Sequence, residues 1–206
     1  MKPVDLNDLQ QYSDVLRIRG GEFVTVRFVV PRDSDALQNY FRSLSVRSRY
    51  NRLMGAISEL PASQLDKFTH VGEGDSFSVV ATMKVDDRET IVGEARYAFD
   101  PVGARFELAL SVDDRWQGHG IGAALLANLE CRAGAFGAGQ LFGDTLRSND
   151  AMIHLARKSG YAFASTPGDW KQVRFQKTLV VGPQEIPCAT WQGMAVQNSA
   201  AKSLAH

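Results

Sequence analysis

The stretch Glu107-Leu108-Ala109-Leu110-Ser111-Val112-Asp113-Asp114-Arg115-Trp116-Gln117-Gly118-His119-Gly120-Ile121-Gly122 decides how this chain is read. Its first half alternates apolar residues and reads as a strand. Its second half places glycines at 118, 120 and 122, where bare backbone can approach a ligand closely. The run that follows, IGAALLANLECRAGAF (121–136), carries Leu125, Leu126 and Leu129 at helical spacing. A helix opening on such a loop leaves unpaired N–H groups and a partial positive charge, a cradle for a pyrophosphate. Three glycines alone fit a plain turn equally well. A P-loop would need Gly-Lys-Ser/Thr where this chain has Gly-Ala-Ala. A dinucleotide fold would need G-x-G-x-x-G behind a parallel strand, whereas G-x-G-x-G follows an antiparallel meander here.

Upstream, SFSVVATMKV, TIVGEARYAF and ARFELALSV form that meander, with turns at Asp86-Asp87 and Pro101-Val102-Gly103. EFVTVRFVV (22–30) is a further strand. Asp33 caps one helix, Ser45 a second, and Pro61 opens a third. Downstream, QLFGDTL (140–146) makes a strand parallel to 106–112, followed by a helix near 148–159 and strands near 161–165 and 171–181. The polar residues 1–21 read as a loose lead-in, 22–182 as a single domain, and the Ala/Gln/Ser-rich residues 183–206 as a disordered tail.

The composition narrows the function. Among 206 residues, 23 Lys+Arg balance 23 Asp+Glu, so no global charge attracts nucleic acid or an anionic membrane. An anionic ligand must therefore be held by a local site. No stretch is apolar enough to span a membrane and the polar start is no signal peptide, so a cytoplasmic chain is expected. Cys131 and Cys188 are too few for a disulfide framework, and Cys131 reads as a small core residue. No His/Cys/Asp cluster has metal spacing, so no metal is expected.

The run R-x-x-G-x-G at 115–120, behind ELALSV and ahead of an apolar helix, resembles the acyl-CoA loop of the GNAT superfamily of N-acetyltransferases. Asn149-Asp150-Ala151-Met152-Ile153-His154-Leu155-Ala156-Arg157-Lys158-Ser159-Gly160-Tyr161 is similar to that family's second motif. Ser45, Ser48, Tyr50 and Arg52, with Glu107 five residues before Val112, narrow the likeness to bacterial protein lysine acetyltransferases of the Pat type. The resemblance implies an α+β GNAT fold: a mixed, largely antiparallel sheet of six to seven strands, opened between the fourth and fifth, flanked by four to five helices. It implies acetyl-CoA as cosubstrate and an amine acceptor, on a protein lysine or a small molecule, attacked in a ternary complex. It leaves room for a homodimer. The amides of Gln117, Gly118, His119, Gly120, Ile121 and Gly122 would hold the pyrophosphate. The main chain of Leu110, Ser111 and Val112 would pair with pantetheine, and Asn149 would reach the same arm.

Glu107 is the candidate base, because a mid-strand carboxylate among apolar neighbours costs free energy unless used or paired. Its competing reading is a solvent-facing Glu, or one paired to Arg96 or Arg105. Ala156 stands where many of these enzymes place a tyrosine acid, so no general acid is assigned, and Tyr161 reads as packing. His119 reads as surface filler within reach of a phosphate, and His154 as exposed. Arg42, Arg47, Arg49 and Arg52 crowd a segment without acids. They either steer an acidic acceptor or find counter-charges elsewhere. The alternative to an enzyme is a non-catalytic acyl-CoA sensor or partner-binding module on the same fold.

Overall fold

A computed structural model describes residues 4–71, 76–166 and 168–203. The sheet begins earlier than expected, with β1 (Asp14–Arg17) antiparallel to β2 (Phe23–Phe28). Next come α1 (Ser34–Ser43), α2 (Val46–Leu53) and α3 (Ala62–Thr69). The meander is β3 (Ser76–Val85), β4 (Arg88–Asp100) and β5 (Arg105–Val112). Its first turn is tight because Asp86 and Asp87 both take left-handed φ, 48° and 61°, the two-residue hairpin form that suits strand twist. α4 (Ile121–Phe136) then crosses to β6 (Gln140–Leu146), which lies parallel to β5. α5 (Asp150–Lys158), β7 (Ala162–Ser165), β8 (Gln172–Thr178) and α6 (Ala189–Ser203) complete the described chain. The strands lie in the order β1-β2-β3-β4-β5-β6-β8-β7.

Strand alternation sorts side chains to two cores. Val80 faces Leu37, Tyr40, Phe41 and Phe68 of α1 and α3. Its neighbours Val79 and Ala81 face the larger core, with Leu125 and Leu129 of α4 and Met152 and Ala156 of α5. The fold is thus α+β, a mixed and mostly antiparallel sheet between helices. Eight strands and six α-helices among the described residues exceed the expected numbers, and both additions come from the two terminal segments.

Those segments correct the expectation of a loose lead-in and a disordered tail; residues 1–3 and 204–206 lie outside the described residues. Trp191 of α6 is fully buried, and its Nε1 donates to Asp14 Oδ2 of β1 at 2.9 Å. Asn128 donates to the same oxygen at 2.6 Å and accepts from Arg132 Nε at 2.7 Å. The wholly buried Arg132 guanidinium lies over Trp191 (4.3 Å to the centroid) and Phe28 (4.8 Å), so ring faces and hydrogen bonds replace its water. The apolar stripe of α6, Trp191, Met194 and Ala195, is too narrow to stand out among its alanines and glutamines. Cys131, expected as a small core residue, is buried and also bonded to Cys188 with a Cα–Cα distance of 6.0 Å, fastening α4 to the approach of α6. Such bonds are rare in reducing cytosol. In that compartment the two sulfurs would be thiols packed in contact. No described helix is long and apolar enough to cross a membrane.

Trp191→Ala is expected to destabilise the fold by about 3–5 kcal/mol in urea unfolding, the range for removing a buried aromatic. A loss below about 1 kcal/mol would show that α6 is dispensable to the core.

Candidate functional site

The site begins where two strands part. β5 and β6 pair only at Arg105↔Gln140, Phe106↔Leu141 and Glu107↔Phe142, after which β6 pairs with β8 alone. At Gly143, the next residue of β6, an added Cβ would lie 2.5 Å from the Leu108 carbonyl oxygen and 2.4 Å from Phe175 Cζ. Glycine is required there, and the Phe175 ring fills the fork. Beyond it the β5 backbone from Leu108 to Val112 has a strand neighbour on one side only, an edge able to pair with an extended ligand.

At the end of β5, Asp113 donates its N–H to Val92 O (3.0 Å), a carbonyl at the irregularity in the β3–β4 register. The buried Asp113 carboxylate accepts from Arg115 N at 2.9 Å and pairs with the Arg115 guanidinium at 2.7 Å. Burial raises its pKa, but the Arg115 bonds outweigh this and hold the carboxyl below its ordinary range. Gly118 and Gly120 then adopt φ of +82° and +90° and lead into α4, whose N-terminus has no side-chain cap. Its first amides are left for a ligand.

A cavity of about 920 Å³ lies between this loop, the open edge of β5, α2 and α5. Of the ten residues expected to hold a cofactor, Leu110, Ser111, Val112, Gln117, Gly118, Gly120, Gly122 and Asn149 line it. Ile121 does not; its side chain is 1% exposed, in the core behind the loop. The exposed His119 side chain does not line it either; it lies edge-on to Trp116 with Nδ1 3.0 Å from Gln117 O. Asn149 caps α5, accepting from Met152 N (3.3 Å) and donating to Thr145 Oγ1 (3.0 Å). Ala156 and Tyr161 are buried and His154 is an exposed lining residue.

Several residues that the sequence did not single out complete the site. Arg19 lines the cavity, and its N–H donates to His119 O at 3.0 Å, docking the end of the β1 segment on the loop. A Cβ on Gly120 would meet Arg19 N at 3.2 Å, so this docking also needs the glycine. Asp114 accepts from Ser45 N, Ser45 Oγ and Ser48 Oγ at 2.7–2.8 Å. These bonds latch the start of α2 to the loop and give the two serines their purpose. Burial pushes the Asp114 pKa up, but the three donors outweigh it and the net shift is downward.

Beneath the cavity, Glu94 (1% exposed) holds Arg52 through both carboxylate oxygens. Ser111 Oγ donates to Glu94 at 2.8 Å, so the Tyr40 hydroxyl, 2.9 Å away, must donate to Ser111. Burial, then the Glu94 charge, pushes the Tyr40 pKa well above its usual value and keeps that proton in place. The four-arginine stretch resolves into Arg42–Glu59, Arg47–Asp150, Arg52–Glu94 and Arg49 bonded to the Arg42 carbonyl. Its counter-charges lie elsewhere in the sequence.

Glu107 is exposed, on the face of β5 shared with Ala109 and Ser111, and does not line the cavity. Among the described residues it has no ion pair, with Arg96, Arg105 or any other cation; Arg174, itself paired with Asp144 at 2.6 Å, acts on it only at longer range. No group of three or more potential metal ligands occurs among the described residues.

A model of the acetyltransferase (GNAT) family matches residues 40–161, more than half the chain. The chain belongs to the GNAT acetyltransferase family. A Pseudomonas aeruginosa protein named as an acetyltransferase is 28% identical over 153 residues, 74% of this chain and 82% of its own length. Among solved structures, the GNAT domain of S. lividans PAT is similar with a TM-score of 0.74 at 23% identity, covering 87% of this chain and 100% of that one. A GNAT superfamily phosphinothricin acetyltransferase from Sinorhizobium meliloti, in complex with acetyl-CoA, gives 0.59 at 22% identity, over 76% and 88% of the two chains. At these identities the structural likenesses speak for the GNAT fold.

Asp114 offers a test of the latch. Its depressed pKa means its contribution is present above the unfolded value, about 3.9, and is lost as pH falls through the folded value. Asp114→Asn should lower the melting temperature at pH 7, and the gap to wild type should close below about pH 4. A gap independent of pH would show that the carboxylate charge plays no part.

Proposed function

We propose that this GNAT protein moves an acetyl group from acetyl-CoA to an amine by direct attack in a ternary complex. The observation that carries the reading is one cavity of about 920 Å³ that joins the loop, the open β5 edge and the Asn149 end of α5. The amides at 117–122 and the Arg19 guanidinium would face the pyrophosphate, and β5 from Val112 to Leu110 would pair with the pantetheine amides. A β5 N–H near Leu110 would polarise the thioester carbonyl. The neutral amine nitrogen forms the C–N bond to that carbon, the C–S bond breaks with its electron pair leaving on sulfur as the CoA thiolate, and the nitrogen's surplus proton passes to solvent. No acid is needed for a thiol of ordinary pKa about 8.5, which suits the buried Ala156. Neither Cys131 nor Cys188 lines the cavity, which favours direct attack over an acyl-cysteine.

A lysine acceptor is neutral in fewer than roughly one molecule in a thousand at pH 7, so its proton must be taken. Glu107 is the proposed base. It lies three residues, about 10 Å along the strand, from Leu110 and would act through a chain of waters. Its exposure also supports an acceptor on a protein surface. Beside Glu107, Phe142 is covered by the guanidinium groups of Arg105 (4.6 Å) and Arg174 (4.5 Å). The second reading, a sensor that binds acyl-CoA without turnover, draws on the same Ala156 and on a Glu107 outside the cavity lining.

Thiol release from acetyl-CoA, against a panel of proteins, peptides and small amines, separates the two. Release with protein or peptide amines is expected; stabilisation by acetyl-CoA with no release from any amine would favour the sensor. Glu107→Gln should cut the rate about 100-fold or more while acetyl-CoA still binds. A rate within a few-fold of wild type would remove Glu107 from the mechanism. Arg19→Ala should weaken acetyl-CoA about tenfold and leave acetyl-pantetheine, which lacks the phosphates, within about twofold. Equal losses for both ligands would mean that Arg19 only shapes the loop.

A further inference from the structure

At its inner end the large cavity adjoins a second chamber of about 30 Å³. Asn51, Arg52, Leu110, Asn149 and Met152 belong to the walls of both. Met54, Ala109, Asp144, Thr145 and Phe175 belong to the small chamber alone. The order of residues along the cavity says which end of a ligand arrives there. Gly118, Gly120 and Gly122 mark the phosphate end, and β5 runs back from Val112 beside the loop to Leu110 beside the chamber. If pantetheine lies along β5, as the proposed function requires, its sulfur and acyl group point into this chamber.

The chamber is small and its end is fixed. Its volume, about 30 Å³ against about 920 Å³ for the large cavity, suits a short acyl group better than a chain of methylenes. Phe175 closes the far side: it is 1% exposed, its tip fills the fork at Gly143, and Tyr161 packs edge-on against it at 5.6 Å. Met152 is buried on the first turn of α5, which Asn149 caps. The charged walls are already paired, Arg52 with Glu94 and Asp144 with Arg174 and Thr166, so no uncompensated cation invites a carboxylated acyl group.

We infer that this chamber gauges acyl length, admitting acetyl and rejecting butyryl and longer chains, with Phe175 and Met152 as the residues that set the limit. A longer chain must displace a ring locked between β6 and Tyr161, an overpacking that weakens binding about tenfold or more. Calorimetry with CoA, acetyl-CoA, propionyl-CoA, butyryl-CoA and hexanoyl-CoA tests this without knowing the acceptor. Acetyl-CoA should bind at least as tightly as CoA, with butyryl-CoA and hexanoyl-CoA about tenfold or more weaker. Met152→Ala and Phe175→Leu should each reduce the hexanoyl-to-acetyl ratio of Kd values at least about threefold. The ratio isolates acyl fit, because a general loss of folding or of phosphate binding moves both ligands alike. Equal affinities across the series in wild type would overturn the inference while leaving the proposed function standing. Failure to bind CoA at all would overturn both. If Phe175→Leu does not fold, Met152→Ala and the wild-type series decide the matter; an unchanged ratio in Met152→Ala would then overturn the assignment of the chamber wall.

Discussion

The fork between β5 and β6 is the constraint on which the rest of this structure depends. Two parallel strands that begin paired would ordinarily stay paired, because each unmade backbone hydrogen bond costs free energy. Here β6 leaves β5 after Phe142 and satisfies itself along β8, with the Phe175 ring wedged at Gly143. Any side chain at that glycine would collide with the Leu108 carbonyl or with the ring. The unpaired groups of β5 then face a cavity instead of a neighbour, so a cost in sheet pairing becomes a place for an extended ligand to pair.

Around this fork, buried polar pairs hold the surfaces that flank it. Glu94, Arg52, Ser111 and Tyr40 join β4, α2, β5 and α1 in one hydrogen-bonded chain. Asp114 ties the beginning of α2 to the loop. Ion pairs of this kind contribute little net stability, since desolvation offsets their attraction. What they supply is position. With Arg52 and Ser111 both fixed on Glu94, the cavity wall between α2 and β5 has one arrangement.

The terminal segments serve the same site from farther away. α6 buries Trp191 against Arg132 and reaches Asp14, the first residue of β1. Five residues on, the Arg19 N–H donates to the carbonyl of His119 in the glycine-rich loop. A continuous run of contacts thus leads from the last helix to the glycine-rich turn. The outer strand and the outer helix brace a loop whose glycines would otherwise leave it soft.

Much of this was legible in the chain because it is local. The alternation of β2 to β5, the turn at Asp86-Asp87, the helix after Gly120 and the helix near 148–159 each depend on residues within a few positions of one another. So do eight of the ten residues expected to meet a cofactor, which line the cavity because strand and loop carry them there in order. The two exceptions, His119 and Ile121, show the limit: the motif fixes where the backbone goes, while packing against Trp116 or the core fixes where a side chain points. Arg52 with Glu94, Asp114 with Ser45, Arg19 with the loop, Cys131 with Cys188 and Trp191 with Asp14 all join residues distant in sequence, and no spacing rule announces them. The sequence by itself determined the strand–loop–helix unit and the family it belongs to. Only the tertiary structure decided the width of the fork, the depth of the chamber behind Leu110 and the exposure of Glu107, because each depends on how far two strands diverge and on which side chains meet across the gap.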